Sequence, residues 1–412
     1  MAAPSGFAQR ARDLPGRVWP GLDERLWNRQ RDALVGRTVA SEGYASRLEG
    51  LVSPGPIGKR PPHLVVVPHS GPGDETWRPG TRNFYFEAAQ TARELYPDLR
   101  VSVFAVSPGE PAAEWHVRLI RYAVETGATH LITHIESDPE STADVATAGG
   151  AAGDRWTWDI LWSELSARWD GVLLGVMFDS AFRWLTIPAR RLARMSPRFV
   201  EVDICMPMDG VLVRGRPEVG PVNMPMSRLS FVDIDAHTQG LEKAYDVSFI
   251  GALYPYRVEL IDALRARGIS VAVNPHRPDE TRDFTESRAN QPSFLDYMAG
   301  LKQSRITINF SRSSAGPFEQ LKTRVIEAAS MGCLVLTDDR DRTRLFWTPE
   351  EYAYFPSLDA VPGIVEALLA DPDRLAARQA AARARARDLA RTSFWDGIDD
   401  GLSRRGLRTL AG

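Results

Sequence analysis

Short apolar runs alternate with amphipathic stretches between residues 63 and 204. Five apolar runs have the length of a β-strand: residues 63–68, 101–106, 130–135, 172–178 and 199–204. Four stretches with helical apolar spacing lie between them: residues 84–95, 115–126, 158–169 and 189–195. Alternating strands and helices of these lengths are typical of a parallel, doubly wound sheet. The pattern therefore predicts an α/β unit in this part of the chain.

The same alternation begins again at Asp246. The predicted strands are residues 247–251, 269–273, 306–310, 333–337 and 352–355, and the predicted helices are residues 256–267, 293–303, 323–331 and 361–369. Between the two units, residues 205–243 are rich in proline and contain Met-Pro-Met twice, so we interpret them as a connector. We expect the second unit to be another Rossmann-like domain.

The chain divides into four predicted segments. Residues 1–60 have scattered apolar spacing and a proline-rich end, which predicts a helical N-terminal extension. Residues 61–235 form the first α/β domain and residues 236–385 the second. Residues 386–412 continue a long Ala- and Arg-rich helix and add apolar anchors, which pack either on the first domain or on the second.

Composition and charge argue against several classes of function. A chain of 412 residues suits two domains, and a net charge of −3 argues against general binding of nucleic acid, which needs a basic surface. No apolar run approaches the ~20 residues that span a bilayer, and the first residues lack the apolar region of a signal peptide. We therefore expect a cytoplasmic protein without a membrane span. Cys205 and Cys333 lie in apolar runs and are interpreted as packing residues rather than as a disulfide or metal pair.

Residues 317–338 are the most informative segment of the chain. Glu327 lies early in an Ala-rich helix that stops at Gly332, and an apolar strand follows at once. A carboxylate there, where the edge of the sheet opens into a cleft, can accept two hydrogen bonds from a vicinal diol such as a nucleotide ribose. The alternative is an acidic residue that complements the helix dipole. Both interpretations fit the spacing.

This segment resembles the donor-binding motif of GT-B glycosyltransferases. That motif has two glutamates with seven residues between them, and Glu319 and Glu327 have this spacing. The segment is similar in particular to the CgeB-type branch of the family-1-like transferases, which carries Lys-x-Arg-x-(Phe/Ile)-Glu-Ala. Residues 322–328 of this chain read Lys-Thr-Arg-Val-Ile-Glu-Ala.

A second block supports the resemblance. Residues 245–251, Tyr-Asp-Val-Ser-Phe-Ile-Gly, are followed by Tyr256 and Arg257, and they are similar to the first strand and glycine turn of the C-terminal domain in such proteins. The resemblance covers about residues 244–400. It implies the GT-B fold, in which two Rossmann-like domains face a cleft. It also implies sugar transfer from a nucleotide diphosphate sugar without a metal or other cofactor, and a last helix that returns to the first domain.

The candidate donor site consists of motif residues and of residues that follow strands of the second domain. The resemblance assigns Glu327 to the ribose and Glu319 to the donor sugar, although Glu319 lacks the glycines that usually follow the first acid. The other candidates place positive charge or a close backbone approach beside the diphosphate: Gly251, Arg257, Arg312, Lys322 and Arg324. For each of the cations the alternative is an ordinary surface charge.

Three polar residues follow strands of the first domain. His69 comes after the first strand, His134 ends the third and Asp179 ends the fourth. Ligands of open α/β sheets bind beyond the carboxyl ends of the strands. An inverting transferase needs a base on the acceptor hydroxyl, and Asp179, His69 and His134 are the candidates for that catalytic role. Retaining enzymes often have no obvious protein base, and such residues also bond to neighbouring loops.

The sequence therefore predicts a glycosyltransferase whose partners are a nucleotide-sugar donor and a small-molecule or glycan acceptor. Two alternatives stay open: a nucleotide-sugar epimerase or hydrolase on the same fold, and a catalytically inactive GT-like module that binds a partner or a glycan. The sequence contains neither a Walker loop nor a Gly-x-Ser-x-Gly motif. No metal site is predicted, because arginines interrupt the acidic cluster of residues 338–341.

Overall fold

Two parallel β-sheets, one in each half of the chain, form the framework of the protein. The computed structural model describes residues 22–52, 55–68, 72–107, 109–135, 158–178, 180, 183–204, 219–251, 253–274, 293–312, 319–338, 340 and 342–412. In these residues the first sheet contains β1 (His63–Val66), β2 (Arg100–Val103), β3 (His130–His134), β4 (Val172–Met177) and β5 (Phe199–Asp203). The second contains β6 (Tyr245–Phe249), β7 (Val271–Val273), β8 (Ser304–Asn309), β9 (Leu334–Asp338) and β10 (Ala353–Phe355).

Both sheets have the same strand order. The first runs β2-β1-β3-β4-β5 and the second runs β10-β9-β8-β6-β7, with each of these neighbouring strands parallel. Each order reverses once, between β1 and β3 in the first domain and between β6 and β8 in the second. Such a reversal opens a crevice at the carboxyl ends of the two strands. Two Rossmann-like domains of this kind make the GT-B architecture, and the predicted fold is confirmed.

Helices connect the strands. They are α1 (Leu22–Ser41), α2 (Tyr44–Arg47), α3 (Phe84–Leu95), α4 (Ala112–Glu125), α5 (Trp158–Arg168), α6 (Arg183–Met195), α7 (Arg228–His237), α8 (Pro255–Ala266), α9 (Phe294–Lys302), α10 (Arg324–Ser330), α11 (Val361–Leu369) and α12 (Pro372–Arg404). Val65 and Leu131 pack into one core cluster, whereas Leu64 and Ile132 pack into another. Both faces of the first sheet are therefore covered, which explains why β4 is buried along its whole length and apolar throughout.

The helix α12 connects the two domains. Ala382 and Ala386 pack in the core of the second domain, and Trp395 and Leu402 pack in the core of the first. In the structure the long Ala- and Arg-rich helix has 33 residues and includes the apolar anchors of the predicted C-terminal segment. Gly401 lets this helix approach the connector closely, because a Cβ atom there would lie 2.2 Å from Cγ2 of Val219.

The helix α7 belongs to the second domain. Phe231 and Ile234 pack in the same core cluster as Met298 and Leu301 of α9. The predicted boundary at residue 235 falls inside this helix and stays a prediction.

The N-terminal helices pack on the first domain. Arg31 of α1 donates to Asp159 of α5 through Nε (2.9 Å) and Nη2 (2.6 Å). The hydroxyl of Tyr44 lies 2.7 Å from Nδ1 of His116 in the core. The part of the predicted extension before residue 22 lies outside the described residues, and so does Cys205. Cys333 is buried and free.

Three buried histidines make the stability of the first domain depend on pH. Burial is the largest cause that lowers the pKa of His63 to about 4, of His116 to about 3 and of His130 to about 4. The unfolded chain binds protons on these rings below about pH 6.5, whereas the folded protein binds them only near pH 3–4. The free energy of unfolding should therefore fall as the pH drops from 6.5 towards 4, by up to about 1.4 kcal/mol per pH unit for each histidine.

Urea denaturation at pH 7.5, 6.5, 5.5 and 4.5 measures this dependence. In a His116→Gln variant the slope below pH 6.5 should be shallower, because one of the three groups no longer titrates. An unchanged slope in that variant would show that His116 does not contribute. A wild-type midpoint that stays constant over this range would contradict the prediction as a whole.

Candidate functional site

A glycine turn forms the crevice edge of the second sheet. Gly251, just after β6, has a φ angle of 133°, and Asn274, just after β7, has a φ angle of 44°. Oδ1 of Asn274 accepts the N–H of Gly251 at 2.9 Å, and Nδ2 of Asn274 donates to the Gly251 carbonyl at 3.4 Å. The Gly251 N–H, which the sequence predicts to help bind a diphosphate, is therefore used inside the turn. Gly251 instead leaves room for a neighbouring side chain.

That neighbour is Arg324, the first residue of α10. A Cβ atom on Gly251 would lie 3.4 Å from Nη2 of Arg324, so a side chain at residue 251 would crowd the guanidinium. Nε of Arg324 is buried and has no hydrogen-bond partner among the described residues. A buried donor on a permanent cation calls for an acceptor with negative charge. A negatively charged acceptor would satisfy this donor at the reversal between β6 and β8.

Glu327 lies one turn further along α10 and is 3% exposed. Its Oε2 accepts the hydroxyl of Tyr297 at 2.8 Å. Its Oε1 lies 2.8 Å from Nη2 of Arg82. Burial, followed by the charge of Glu327, raises the pKa of Tyr297, so this hydroxyl stays a donor at neutral pH. The carboxylate is thus held by two donors at the bottom of the cleft.

Arg82 comes from the first domain, just before α3. Its Nη2 also donates to Oγ1 of Thr323 at 2.8 Å, and its guanidinium lies 5.8 Å from the ring centroid of Phe294. We call the contact of Arg82 with Thr323 and Glu327 the Arg82 clasp. Sequence reasoning missed Arg82 because it belongs to neither motif. The only feature of the neighbouring sequence that sets Arg82 apart is its position just before a helix that Asn83 caps.

The other predicted cations lie in different surroundings. The guanidinium of Arg257 lies 4.7–5.4 Å from the ring centroids of four aromatic residues: Phe249, Tyr254, Tyr256 and Phe310. Burial lowers the pKa of Arg257, which is 8% exposed. Nε of Arg257 donates to the hydroxyl of Tyr256 at 2.9 Å, and the contact of Arg257 with a diphosphate stays a prediction. Arg312 is exposed after β8, and Lys322 is half-buried two residues before Arg324.

The two acids of the motif differ in burial and pairing. Glu319 is half-buried, and its backbone pairs with that of Arg312 in an antiparallel bridge. Its carboxylate lies 3.5 Å from the exposed guanidinium of Arg340. A pair this exposed is worth little. Glu327 is therefore the acid that the fold holds most firmly in the site.

Of the candidate bases in the first domain, the structure describes His134. Its ring packs edge-on against Phe178 with a centroid distance of 4.7 Å, and the backbone N–H of His134 donates to the hydroxyl of Tyr85 at 3.4 Å. His69 and Asp179 lie outside the described residues. Phe178 directly follows β4, so the strand ends of β3 and β4 meet at the same edge of the first sheet.

A small cavity lies between the domains beside the Arg82 clasp. It is lined by Arg82, Phe294, Thr323, Glu327 and by connector residues 222–226, among others. Within the described ranges, no group of three His, Cys, Asp or Glu side chains is arranged to hold a metal ion. None of the helices described is both long and apolar enough to cross a membrane.

Comparison with known proteins agrees with this geometry for the second domain. A family described as "Glycosyl transferase-like" matches residues 257–394. The matched segment is similar to that family. It runs from the first turns of α8 into α12 and includes both Arg324 and Glu327. The predicted resemblance to glycosyltransferases is confirmed for these residues, and the assignment to the CgeB-type branch stays a prediction.

Several solved structures are similar to this chain at low sequence identity. Sucrose-phosphate synthase from Thermosynechococcus elongatus is 13% identical, with 84% of this chain and 99% of that chain covered and a TM-score of 0.44. HepE from Anabaena, solved in complex with UDP-glucose, is 12% identical, with coverages of 83% and 98% and a TM-score of 0.44. A UDP-N-acetylglucosamine 2-epimerase is 13% identical, with coverages of 85% and 97% and a TM-score of 0.41. No curated protein matches the sequence.

Proposed function

We propose that the protein is a GT-B glycosyltransferase that moves a sugar from a nucleotide diphosphate sugar to a hydroxyl or amine of an acceptor. The observation that carries this proposal is the position of two groups one turn apart on α10. They are the buried carboxylate of Glu327 and the buried Nε of Arg324, which has no hydrogen-bond partner among the described residues. A ribose diol needs acceptors and a diphosphate needs cationic donors. The two groups stand at the crevice of a doubly wound sheet, where nucleotides bind.

In this proposal each donor group has a physical task. Glu327 accepts hydrogen bonds from the ribose hydroxyls, and the guanidinium of Arg324 donates hydrogen bonds to the diphosphate. Lys322 and Arg312 add positive charge near the same edge of the sheet, and Glu319 lies beside Arg312 for the hydroxyls of the sugar. As the bond to the sugar breaks, negative charge grows on the departing diphosphate. Fixed guanidinium groups stabilise that charge without reorganising.

The first domain supplies the acceptor side in this proposal. A base must lie within hydrogen-bond reach of the acceptor hydroxyl. His134 stands at the crevice edge of the first sheet, and His69 and Asp179 follow neighbouring strands of the same sheet. We propose these three residues as the candidates for the base. Closure of the cleft would exclude water from the transfer.

A thermal-shift panel of UDP, GDP, ADP, CMP and dTDP tests the donor site. One nucleotide at about 100 times its dissociation constant should stabilise the folded protein by about 2.7 kcal/mol. The shift should survive an excess of EDTA, because the proposed positive charge comes from side chains. A shift that requires added metal would contradict the metal-independent part of the proposal. No shift with any nucleotide would favour the inactive binding module.

The matching sugar nucleotide then separates transfer from the other reactions of this fold. A transferase should release free nucleotide faster when an acceptor hydroxyl or amine is supplied, and the acceptor should gain the mass of the sugar. An epimerase would return the sugar nucleotide with changed stereochemistry, and a hydrolase would release free sugar without any acceptor. Mass spectrometry and NMR of the products distinguish these outcomes.

A further inference from the structure

The Arg82 clasp covers the groups that a nucleoside would need. Oε1 of Glu327 is 2.8 Å from the guanidinium of Arg82, and Oε2 is engaged by Tyr297. The side chain of Glu327 is only 4% exposed, whereas that of Arg82 is 41% exposed. A ribose diol therefore reaches the carboxylate only after Arg82 moves away. Of the two side chains, that of Arg82 is the one with solvent to move into, because it is partly exposed.

The same guanidinium also lies against an aromatic ring. It is 5.8 Å from the ring centroid of Phe294, whose ring stacks on Tyr297 at 5.9 Å and an interplanar angle of 22°. The planar guanidinium of Arg82 therefore makes the same two kinds of contact that a nucleoside would make. Its N–H groups stand in for ribose hydroxyls that donate to the carboxylate, and its plane stands in for a base beside the aromatic ring. Phe294 is half-buried and lines the cavity beside Glu327. It is therefore placed to stack with a base once Arg82 leaves.

The loop that carries Arg82 is fixed to the second domain. The N–H of Gly80 donates to Oγ of Ser230 at 3.0 Å. Oε2 of Glu87 in α3 accepts the N–H of Ser227 at 2.6 Å. Arg82 itself has a φ angle of 61°, a left-handed conformation that costs energy for a residue with a side chain. The clasp is thus held by contacts on both sides of a strained residue.

We propose that Arg82 occupies the nucleoside position of the site when no ligand is bound, and that the donor nucleoside replaces it. In the bound state the ribose hydroxyls donate to Glu327 and the base stacks on Phe294. Arg82 is then a built-in competitor that lowers the apparent affinity for the nucleotide. This inference rests on the proposed function, since it concerns the same donor site.

Removing Arg82 should therefore tighten nucleotide binding. If the clasp leaves about a tenth of the molecules open, its removal should lower the apparent dissociation constant about tenfold. Isothermal titration of the full chain with UDP, GDP and ADP measures this for wild type and Arg82→Ala. The matched control is Arg78→Ala, which removes an exposed cation from the same loop and should stay within about twofold of wild type. In a Glu327→Gln background, Arg82→Ala should give little further tightening.

The outcomes separate the clasp from the donor site itself. If wild type binds a nucleotide and Arg82→Ala binds it with equal or weaker affinity, the clasp is overturned and the proposed function stays intact. Failure of wild type and Arg82→Ala to bind any of the three nucleotides overturns both. Binding by Arg82→Ala but not by wild type supports both. Arg82→Gly serves as a control for a folding defect, because glycine adopts the left-handed backbone conformation of this position without strain. It must reproduce the result of Arg82→Ala.

Discussion

Replacing Glu327 by alanine is expected to abolish the stabilisation of the protein by its nucleotide. The carboxylate is the buried acceptor of the proposed ribose contact, and Tyr297 holds one of its oxygens in place. Hydrogen bonds to a charged group contribute about 1.5–3 kcal/mol each, so loss of two should weaken binding at least about a hundredfold. A thermal shift of about 2.7 kcal/mol in wild type would then fall close to zero at the same nucleotide concentration.

Two variants serve as controls for this result. Glu327→Gln keeps the size of the side chain and one carbonyl acceptor, so its loss should be intermediate. Glu319→Ala should cost less, because Glu319 is half-buried and its carboxylate faces the exposed guanidinium of Arg340. A larger loss in Glu319→Ala than in Glu327→Ala would contradict the order assigned to the two acids. If the nucleotide shifts the Glu327→Ala variant as much as it shifts wild type, Glu327 does not belong to the donor site.

The fold could be predicted from the sequence because each strand and helix is specified by residues that are neighbours along the chain. Each strand of the two sheets overlaps one short apolar run, so its approximate position is readable from neighbouring residues. The Gly332 stop, with a φ angle of 65°, and the strand that follows it illustrate this. The sequence left open on which domain the apolar positions near Trp395 pack, because helical periodicity does not show which core a helix face contacts. In the structure they pack in a different domain from those near Ala386.

Only part of the candidate site could be predicted from neighbouring residues in the sequence. Arg324 and Glu327 share one motif, so the sequence could indicate both. Arg82 lies 245 positions before Glu327 along the chain and meets it only because the two domains face each other. The surroundings of Arg257 are likewise assembled from three separate segments, at Phe249, Tyr254–Tyr256 and Phe310. Contacts between distant segments leave no periodic signal in the sequence.

The largest expected effect on stability comes from Asp159→Ala in the first domain. Asp159 is fully buried and accepts hydrogen bonds from Arg31 (2.6 and 2.9 Å) and from Nε of Arg191 (3.0 Å). Alanine would leave two buried guanidiniums without their shared counter-charge. Removal of one partner from a buried ion pair typically costs about 3–5 kcal/mol. Because whole domains are stable by only about 5–15 kcal/mol, the urea midpoint should fall strongly.

Asp32→Ala provides the matched comparison within the same network. Asp32 also pairs with Arg191, at 2.7 Å, but its side chain is 69% exposed. Water can replace it, so this change should cost under about 1 kcal/mol. A triple variant, Arg31→Met, Asp159→Leu and Arg191→Met, should recover most of the stability lost in Asp159→Ala, since apolar side chains of similar volume need no counter-charge. Equal losses in Asp159→Ala and Asp32→Ala would show that burial does not strengthen the pair, and failure of the triple variant would assign the loss to packing instead of unpaired charge.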